Sequence, residues 1–196
     1  MRTLPQTRSS PISRSRVMAT AAAGLALLWL TGAPKPPDPA GFAEPVAASA
    51  QRVATEEFSI ARVLARTNPQ LAEPELARIA RAVLRYSAKY DLDPELVTAV
   101  ILVESSALPS ARSPKGAMGL MQVTPAMLEP LRLVGNFTTV ESNIEAGCLI
   151  LADNIRRMGE GDGILAYFWG PNIRGVAYLE RVRAAQAEVR RQLRSS

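Results

Sequence analysis

From about Val53 onward, apolar residues recur every three or four positions, which is the spacing of one face of an α-helix. A first apolar segment fades at Asn68-Pro69. The clearest stripe follows Pro74 and consists of Leu76, Ile79, Ala80, Val83, Leu84 and Ser87. The sequence has no strand-length run in which apolar and polar residues alternate. The pattern therefore predicts an all-α protein.

The next predicted helix begins at Asp93-Pro94 and ends in a carboxyl group. Asp is a favoured N-cap residue and Pro fits the first helical position, so these two residues mark the helix start. The residues that then share one face are Val97, Val100, Ile101 and Glu104. Ser106 and Pro109 predict that the helix stops just beyond Glu104. A carboxyl group thus ends an otherwise apolar stripe.

The position of Glu104 has a chemical consequence. Desolvation by the apolar stripe raises the pKa of a carboxyl group, and the negative end of the helix dipole acts in the same direction. A carboxyl group that stays protonated near neutral pH is what general acid catalysis needs. From the stripe alone, a Glu at a helix end that turns out into solvent is an equally good interpretation.

A compact loop follows at residues 113–122, with the sequence SPKGAMGLMQ. Gly116 and Gly119 allow tight turns and a close approach of the backbone to a ligand. Met121 offers a soft apolar contact, and Gln122 offers an amide donor and acceptor. This mixture suits a sugar, which has an apolar face and a polar rim.

The order and spacing of these parts resemble a known signature. Glu104-Ser105, the SPKGAMGLMQ loop that ends at Gln122, and Pro125 together look like the motif of the soluble lytic transglycosylase family, whose catalytic domain is goose-lysozyme-like. The resemblance covers about residues 72–182. It implies an all-α, lysozyme-like transglycosylase domain.

Further helices are predicted after this loop. Thr124-Pro125 is a good helix start, and Thr138 or Thr139 can cap the helix that follows. The stripe of that following helix consists of Ile144, Gly147, Cys148, Leu151, Ile155 and Met158. Its cysteine is therefore expected to be a buried, unreactive thiol. Residues 159–163 (GEGDG) are expected to form a C-cap and a turn.

The sequence ILAYFWG at residues 164–170 predicts an aromatic core helix on its own. The family carries Ala-Tyr-Asn-Ala-Gly at this point. Tyr167 matches the family tyrosine, which lies in the cleft beside the catalytic acid. Phe168 replaces the family asparagine and is expected to pack in the core, whereas Trp169 either offers a stacking surface for a sugar or packs as well.

The last predicted helix runs from Val176 to Leu193. The residues that face inward are expected to be Tyr178, Leu179, Val182, Val189 and Leu193. Basic residues near its C-terminus favour the helix dipole.

The composition excludes several kinds of chemistry. The 196 residues include no His and one Cys, which rules out Ser-His-Asp and Cys-His catalysis, a His-built metal site and an intramolecular disulfide. The formal net charge of +5 could indicate a nucleic-acid partner, but no basic patch interleaved with aromatic residues occurs in the sequence. We therefore expect no cofactor, no metal and no nucleic acid.

The N-terminal residues predict export. Residues 1–16 carry four arginines and no acidic residue, and an apolar run from Val17 to Leu30 is followed by small residues. This is the pattern of a secretory signal peptide, which we place at residues 1–33, because the run is short for a transmembrane helix. A signal that stayed uncleaved would keep the rest of the chain close to the membrane.

Three further segments complete the predicted organisation. Residues 34–50 are rich in Pro and Ala and are expected to form an extended linker. Residues 51–72 form an N-terminal helical extension, and residues 73–196 form the catalytic domain.

The family resemblance also implies a reaction. Lytic transglycosylases cleave the β-1,4 bond between N-acetylmuramic acid and N-acetylglucosamine in peptidoglycan glycan strands without water and leave 1,6-anhydro ends. Glu104 is the implied single acid/base residue. The implied substrate-binding residues are Ser105, Met121, Gln122, Tyr167 and Trp169. Such an enzyme is expected in the periplasm, either alone or with cell-envelope machinery.

Two other functions stay open from the sequence. A lysozyme-like muramidase on the same fold would add water, and it needs a second polar group in the cleft, such as Glu145 or Asp153. A non-catalytic module that binds cell-wall glycan would fit the loss of the family asparagine at Phe168. The intact Glu104 argues against such a module, because a pure binding protein has no use for a desolvated acid.

Overall fold

The computed structural model describes residues 40–131 and 137–194, with the side chains of these residues except 40–46 and 130. Its helices are α1 (Ala40–Thr67), α2 (Glu73–Lys89), α3 (Pro94–Ser105), α4 (Pro125–Leu128), α5 (Val140–Met158), α6 (Glu160–Trp169) and α7 (Ala177–Arg194), and the 3-10 helix Glu129–Leu131 follows α4. Extended pairing within the described residues is limited to single-residue bridges of Met118 with Arg112 and Val123. The predicted all-α class is confirmed.

Three of the predicted helix starts carry the expected caps. The Asp93 side chain accepts a hydrogen bond of 2.8 Å from the Glu95 backbone N–H, and Pro94 opens α3. Thr124 caps α4 by accepting from the Met127 backbone N–H. Thr139 caps α5, as one of the two threonines proposed for that role.

Helix α3 lies at the centre of the packing. All six residues from Leu96 to Ile101 are buried, so the helix is enclosed on every side and not along one face alone. It packs against α2 and α7, while α5 packs against α2 and α6. Glu104 lies three positions beyond this buried stretch.

The predicted extended linker at residues 34–50 differs from the structure in its C-terminal part. Helix α1 already begins at Ala40, so residues 40–50 are helical. This part of the chain is rich in alanine, the residue with the highest helix propensity, and it contains a single proline, Pro45. Alanine content outweighs that proline here.

Of the C-cap and turn predicted at residues 159–163, the C-cap is confirmed at Gly159 but the turn is wrong. Gly159 ends α5, but α6 begins at once at Glu160. A Cβ added to Gly163 would lie 2.5 Å from Cα of Ile155, so this glycine lets the two helices approach closely. Glu160 and Asp162 lie in the first turn of α6, where negative charge stabilises a helix N-terminus.

The predicted signal peptide at residues 1–33 lies outside the described residues. Within the described part of the chain, no helix combines the length and the apolar character that a membrane crossing requires.

Candidate active site

Glu104 lies in the last turn of α3, where the sequence predicted it. The helix ends at Ser105, and both Ser106 and Ala107 adopt left-handed backbone conformations with φ values of 52° and 59°. The carboxyl group is partly buried. The alternative of a glutamate turned fully into solvent is therefore wrong.

A tyrosine from the last helix reaches this carboxyl group. The Tyr178 hydroxyl donates a hydrogen bond of 2.5 Å to Oε1 of Glu104. The tyrosine itself is 2% exposed. Burial, and then the negative charge of Glu104, raise the pKa of the Tyr178 hydroxyl, so this group keeps its proton and stays a donor.

The pKa of Glu104 is raised above its usual value of 4.5. Burial is the cause, and it outweighs the hydrogen bond from Tyr178 and the positive charge of Arg181, both of which act to lower the pKa. The predicted direction and its main cause, desolvation, are confirmed. A carboxyl group of this kind holds its proton to higher pH and can serve as a general acid.

The loop after α3 is fastened to the end of that helix. The Ser105 hydroxyl donates to the backbone carbonyls of Ile101 and Leu120, at 3.0 and 2.8 Å. Gly119 has a φ of 75°, and a Cβ there would lie 2.5 Å from the Asn143 side chain. The helix end and the loop are thus held together through Ser105 and through α5.

Met121 is the central residue of the loop packing. Its side chain has no exposed surface, and it fills the space above Gly147 of α5, where a Cβ would lie 2.4 Å from its sulfur. Its backbone N–H donates to Asn143 Oδ1 at 2.9 Å, and its carbonyl accepts from the Tyr167 hydroxyl at 2.8 Å. Met121 is therefore held on both its donor and its acceptor side.

Gln122 has a left-handed backbone conformation with a φ of 48°. Its amide nitrogen donates to the backbone carbonyls of Gly119 and Ala111, at 3.0 and 3.3 Å. The side chain is partly buried and closes the loop on itself.

Tyr167 is buried behind this loop. Burial, and then the negative charge of Glu104, raise the pKa of its hydroxyl well above the usual value. Its hydroxyl donates to Met121, whereas the donor to Glu104 is Tyr178. The sequence pattern placed Tyr178 on an inward-facing stripe and missed its bond to the acid.

Phe168 and Trp169 lie at the end of α6 and are 47% and 38% exposed. The expectation that Phe168 packs in the core is therefore wrong. Its ring stacks on Tyr178, with the centroids 4.7 Å apart and the planes at 15°. The Trp169 ring lies edge-on to Phe168 at 4.9 Å, and its indole N–H donates to the Gly175 carbonyl at 3.2 Å.

The two other carboxyl groups considered for the cleft, those of Glu145 and Asp153, form ion pairs with basic side chains. The ammonium group of Lys89 donates to Glu145 and holds the pKa of that carboxyl group below its usual value. Burial acts to raise the pKa of Asp153, but hydrogen bonds from Arg157 and Arg156 keep it low. Both groups are thus engaged on α5 in ion pairs.

Residues 81–187, slightly more than half of the chain, match the model of the transglycosylase SLT domain. The chain belongs to this family. The matched range contains Glu104, the loop and Tyr178. Among the described residues, the structure shows no group of three or more acidic or cysteine side chains that could hold a metal ion.

Individual relatives match parts of the SLT-domain chain. A transglycosylase of Enterobacteria phage PRD1 is 41% identical over 87 residues, which are 44% of this chain and 32% of the phage protein. The lytic transglycosylase Slt of Pseudomonas aeruginosa, in an inactive mutant form, aligns with a TM-score of 0.40 and 20% identity over 58% of this chain and 22% of its own. The 70 kDa soluble lytic transglycosylase of Escherichia coli aligns with a TM-score of 0.43 and 23% identity over 57% of this chain and 22% of its own. This chain thus spans about a third or less of each relative's length.

Proposed function

We propose that the chain is a peptidoglycan lytic transglycosylase that uses Glu104 as its single acid/base residue. The observation that carries this proposal is the state of Glu104: a partly buried carboxyl group with a raised pKa, held by one tyrosine hydroxyl beside a sugar-binding type of loop. The family membership and the phage relative named a transglycosylase support it.

The first step uses Glu104 as an acid. Its proton moves to the oxygen of the β-1,4 bond between N-acetylmuramic acid and N-acetylglucosamine, and the bond from that oxygen to C1 of the muramic acid breaks. The acetamido group of the same sugar supports the positive charge that develops at C1. No second carboxylate is needed, unlike in most glycosidases.

The second step uses the same residue as a base. The Glu104 carboxylate takes the proton from the 6-hydroxyl of the muramic acid, and the oxygen bonds to C1. The product carries a 1,6-anhydro ring, and Glu104 is protonated again. Tyr178 donates to the carboxylate between the two steps and stabilises its charge.

The other predicted site residues divide into two roles. The hydroxyls of Ser105 and Tyr167 donate to backbone carbonyls of the loop, and the Met121 side chain is fully buried. We therefore assign to these three residues the positioning of the loop relative to Glu104. Gln122 lies partly buried in that loop, and Trp169 is partly exposed beside Phe168, so these two are proposed to contact the glycan.

Hydrolysis on the same fold has less support. A muramidase would need a second polar group to activate water, and the candidates Glu145 and Asp153 are held in ion pairs. A non-catalytic glycan-binding module is disfavoured by the desolvated Glu104, whose burial has an energetic cost that binding alone does not require.

The chemical structure of the product distinguishes the transglycosylase reaction from hydrolysis. Peptidoglycan digested with the purified protein should release muropeptides that end in 1,6-anhydro-muramic acid and are lighter by one water than the products of hydrolysis. Mass spectrometry of the digest measures this difference directly. Muramic acid with a free reducing end as the sole product would convert the proposal to hydrolysis, and no release at all would support a binding module.

We further propose that the protein acts in the periplasm after export. A substrate in the cell wall requires a place outside the cytoplasm, and residues 1–33 have the composition of a signal peptide. Helix α1 then serves as an extension in front of a catalytic domain at residues 73–196. N-terminal sequencing of the protein from the periplasm should find cleavage near Ala33, whereas a full-length chain in the cytoplasm would contradict export.

A further inference from the structure

Two aromatic residues at the C-terminal end of α6 keep much of their surface exposed. Phe168 stacks one face of its ring on Tyr178, and Trp169 meets Phe168 edge-on. Phe168 nevertheless remains 47% exposed and Trp169 remains 38% exposed. Two adjacent exposed rings provide apolar surface on which a ligand can pack. We call Phe168 and Trp169 the aromatic ledge.

The ledge is continuous with the candidate catalytic acid. The hydroxyl of Tyr178, on which Phe168 stacks, donates a hydrogen bond of 2.5 Å to Glu104. Two contacts therefore connect the exposed ring of Phe168 to the carboxyl group.

A cation borders the same surface. The guanidinium carbon of Arg181 lies 5.8 Å from the Phe168 ring centroid and 5.7 Å from that of Tyr178. Because these two distances are nearly equal, the guanidinium lies beside the stacked pair and not on the outer face of Phe168. Other arginines of α7, Arg183 and Arg190, pair with Glu160 and Glu95, whereas Arg181 forms no ion pair with any acidic side chain that the structure describes.

We propose that the aromatic ledge is a sugar-binding subsite beside Glu104 and that Arg181 binds a carboxylate on the same sugar. The apolar face of a pyranose ring packs on Phe168 and Trp169, as sugar rings do on aromatic surfaces. The carboxylate belongs either to the lactyl group of muramic acid or to the peptide attached to it. At Phe168, where the family carries an asparagine, the subsite offers a stacking contact in place of a polar one. This proposal rests on the proposed function.

Binding to an inactive variant tests the subsite without turnover. Isothermal titration of Glu104→Gln protein uses three probes: an N-acetylglucosamine oligomer, a peptide-free glycan strand with lactyl carboxylates, and a peptide-bearing strand. Adding Phe168→Ala should raise the Kd for all three by roughly tenfold, because apolar contact area is lost. Phe168→Leu should recover only part of this affinity, since it restores bulk but not a flat face.

The contribution of Arg181 should depend on whether the probe carries a carboxylate. Arg181→Gln should raise the Kd for the probes that carry carboxylates and leave the neutral oligomer unchanged. An effect on the peptide-free strand places the contact at the lactyl group, and an effect on the peptide-bearing strand alone places it at the peptide. An equal loss on all three probes, or no loss on any, overturns the role of Arg181.

A matched control exists on α1. Phe58 is 60% exposed, and the guanidinium carbon of Arg62 lies 5.8 Å from its ring centroid, which reproduces the distance between Arg181 and Phe168 outside the candidate site. Phe58→Ala should leave every Kd unchanged, and the melting temperatures of all variants show whether the fold is kept. If the unmutated enzyme releases anhydro products but Phe168→Ala binds normally, the subsite is wrong while the proposed function stands. If the protein neither releases products nor binds any probe, both are wrong.

Discussion

Tyr178 donates a hydrogen bond of 2.5 Å to Glu104, although 74 positions of the sequence separate the two residues. The contact depends on how α7 packs on α3. Two further hydrogen bonds connect α7 to the start of α3: Gln186 donates to Asp93, the N-cap of α3, at 3.1 Å, and Arg190 donates to Glu95 at 2.6 Å. A residue of the last helix is thus a direct partner of the carboxyl group at the end of α3.

Tyr178→Phe should shift the pH profile of the reaction. The hydrogen bond from Tyr178 lowers the pKa of Glu104, so its loss raises that pKa further. An acid is active while protonated, and the alkaline limb of kcat/KM should therefore move to higher pH, with a lower rate at the optimum because the carboxylate is less well stabilised. The phenylalanine ring keeps the stacking with Phe168.

A matched variant shows that the shift is specific. The Tyr90 hydroxyl donates to Glu145 at 3.4 Å, so Tyr90→Phe removes a tyrosine–carboxylate contact outside the site. Its pH profile should equal that of the unmutated enzyme. An unchanged alkaline limb in Tyr178→Phe would show that the hydrogen bond has no influence on the acid.

Glu104→Gln should abolish turnover. Glutamine keeps the shape and can still accept from Tyr178, but it cannot transfer a proton. A general acid or base contributes about 10²- to 10⁴-fold, and one residue performs both steps in the proposed mechanism, so the loss should be at or above the top of that range. Release of anhydro-muropeptides under saturating peptidoglycan measures it, and near-normal turnover would falsify the assigned mechanism.

The same substitution should change how stability depends on pH. The folded pKa of Glu104 is raised above 4.5, so the folded protein binds this proton more tightly than the unfolded chain. As the pH rises from below 4.5 through the folded pKa, ionisation of Glu104 therefore lowers the free energy of unfolding of the unmutated protein. Glutamine does not ionise and avoids this loss.

Thermal unfolding in a series of buffers measures the effect. The melting temperature of Glu104→Gln relative to the unmutated protein should be lowest in acid, rise through this window and stay constant above it. A difference that is the same at about pH 4 and at about pH 8 would show that the carboxyl group has the same pKa in the folded and unfolded states.

Cys148 should be unreactive in the folded protein. It is buried, and desolvation raises the pKa of its thiol from 9.0 to about 12, which lowers the thiolate fraction at neutral pH roughly 1,000-fold. A thiol reagent should therefore label the native protein far more slowly than the protein in denaturant. Equal rates in the two conditions would contradict the packing of α5.

The sequence predicted the helix starts well because their signals are local. Asp93-Pro94 and Thr124-Pro125 each carry the cap and the first helical residue side by side, and α3 and α4 begin there. The stripe that ends in Glu104 is equally local. The start of α6 at Glu160 was missed because it depends on the close contact between Gly163 and Ile155, which only the packed helices reveal.

The site was predicted in part for the same reason. Tyr167 and Met121 are in contact, as the resemblance implied that they belong together, but Tyr178 was missed as the partner of Glu104. A buried tyrosine on an apolar stripe needs an acceptor for its hydroxyl, and this general requirement was the available signal. Phe168 was misplaced because an apolar residue in an apolar run predicts burial, while the structure leaves half of it exposed.

Gly147→Ala should destabilise the protein and weaken the loop that surrounds Met121. A Cβ at this position would lie 2.4 Å from the sulfur and 2.7 Å from Cβ of Met121, so either α5 or the loop must shift. Overpacking of this kind costs about 1–3 kcal/mol of the free energy of unfolding, which denaturant unfolding measures. The displaced Met121 should also reduce turnover, since its backbone holds Tyr167 and Asn143.

Gly161→Ala is the control, because its Cβ would meet only Leu179 at an ordinary 3.8 Å. That variant should be as stable as the unmutated protein or slightly more stable, because alanine reduces the entropy of the unfolded chain. Equal stability of the two alanine variants would contradict the close packing of Met121 on α5.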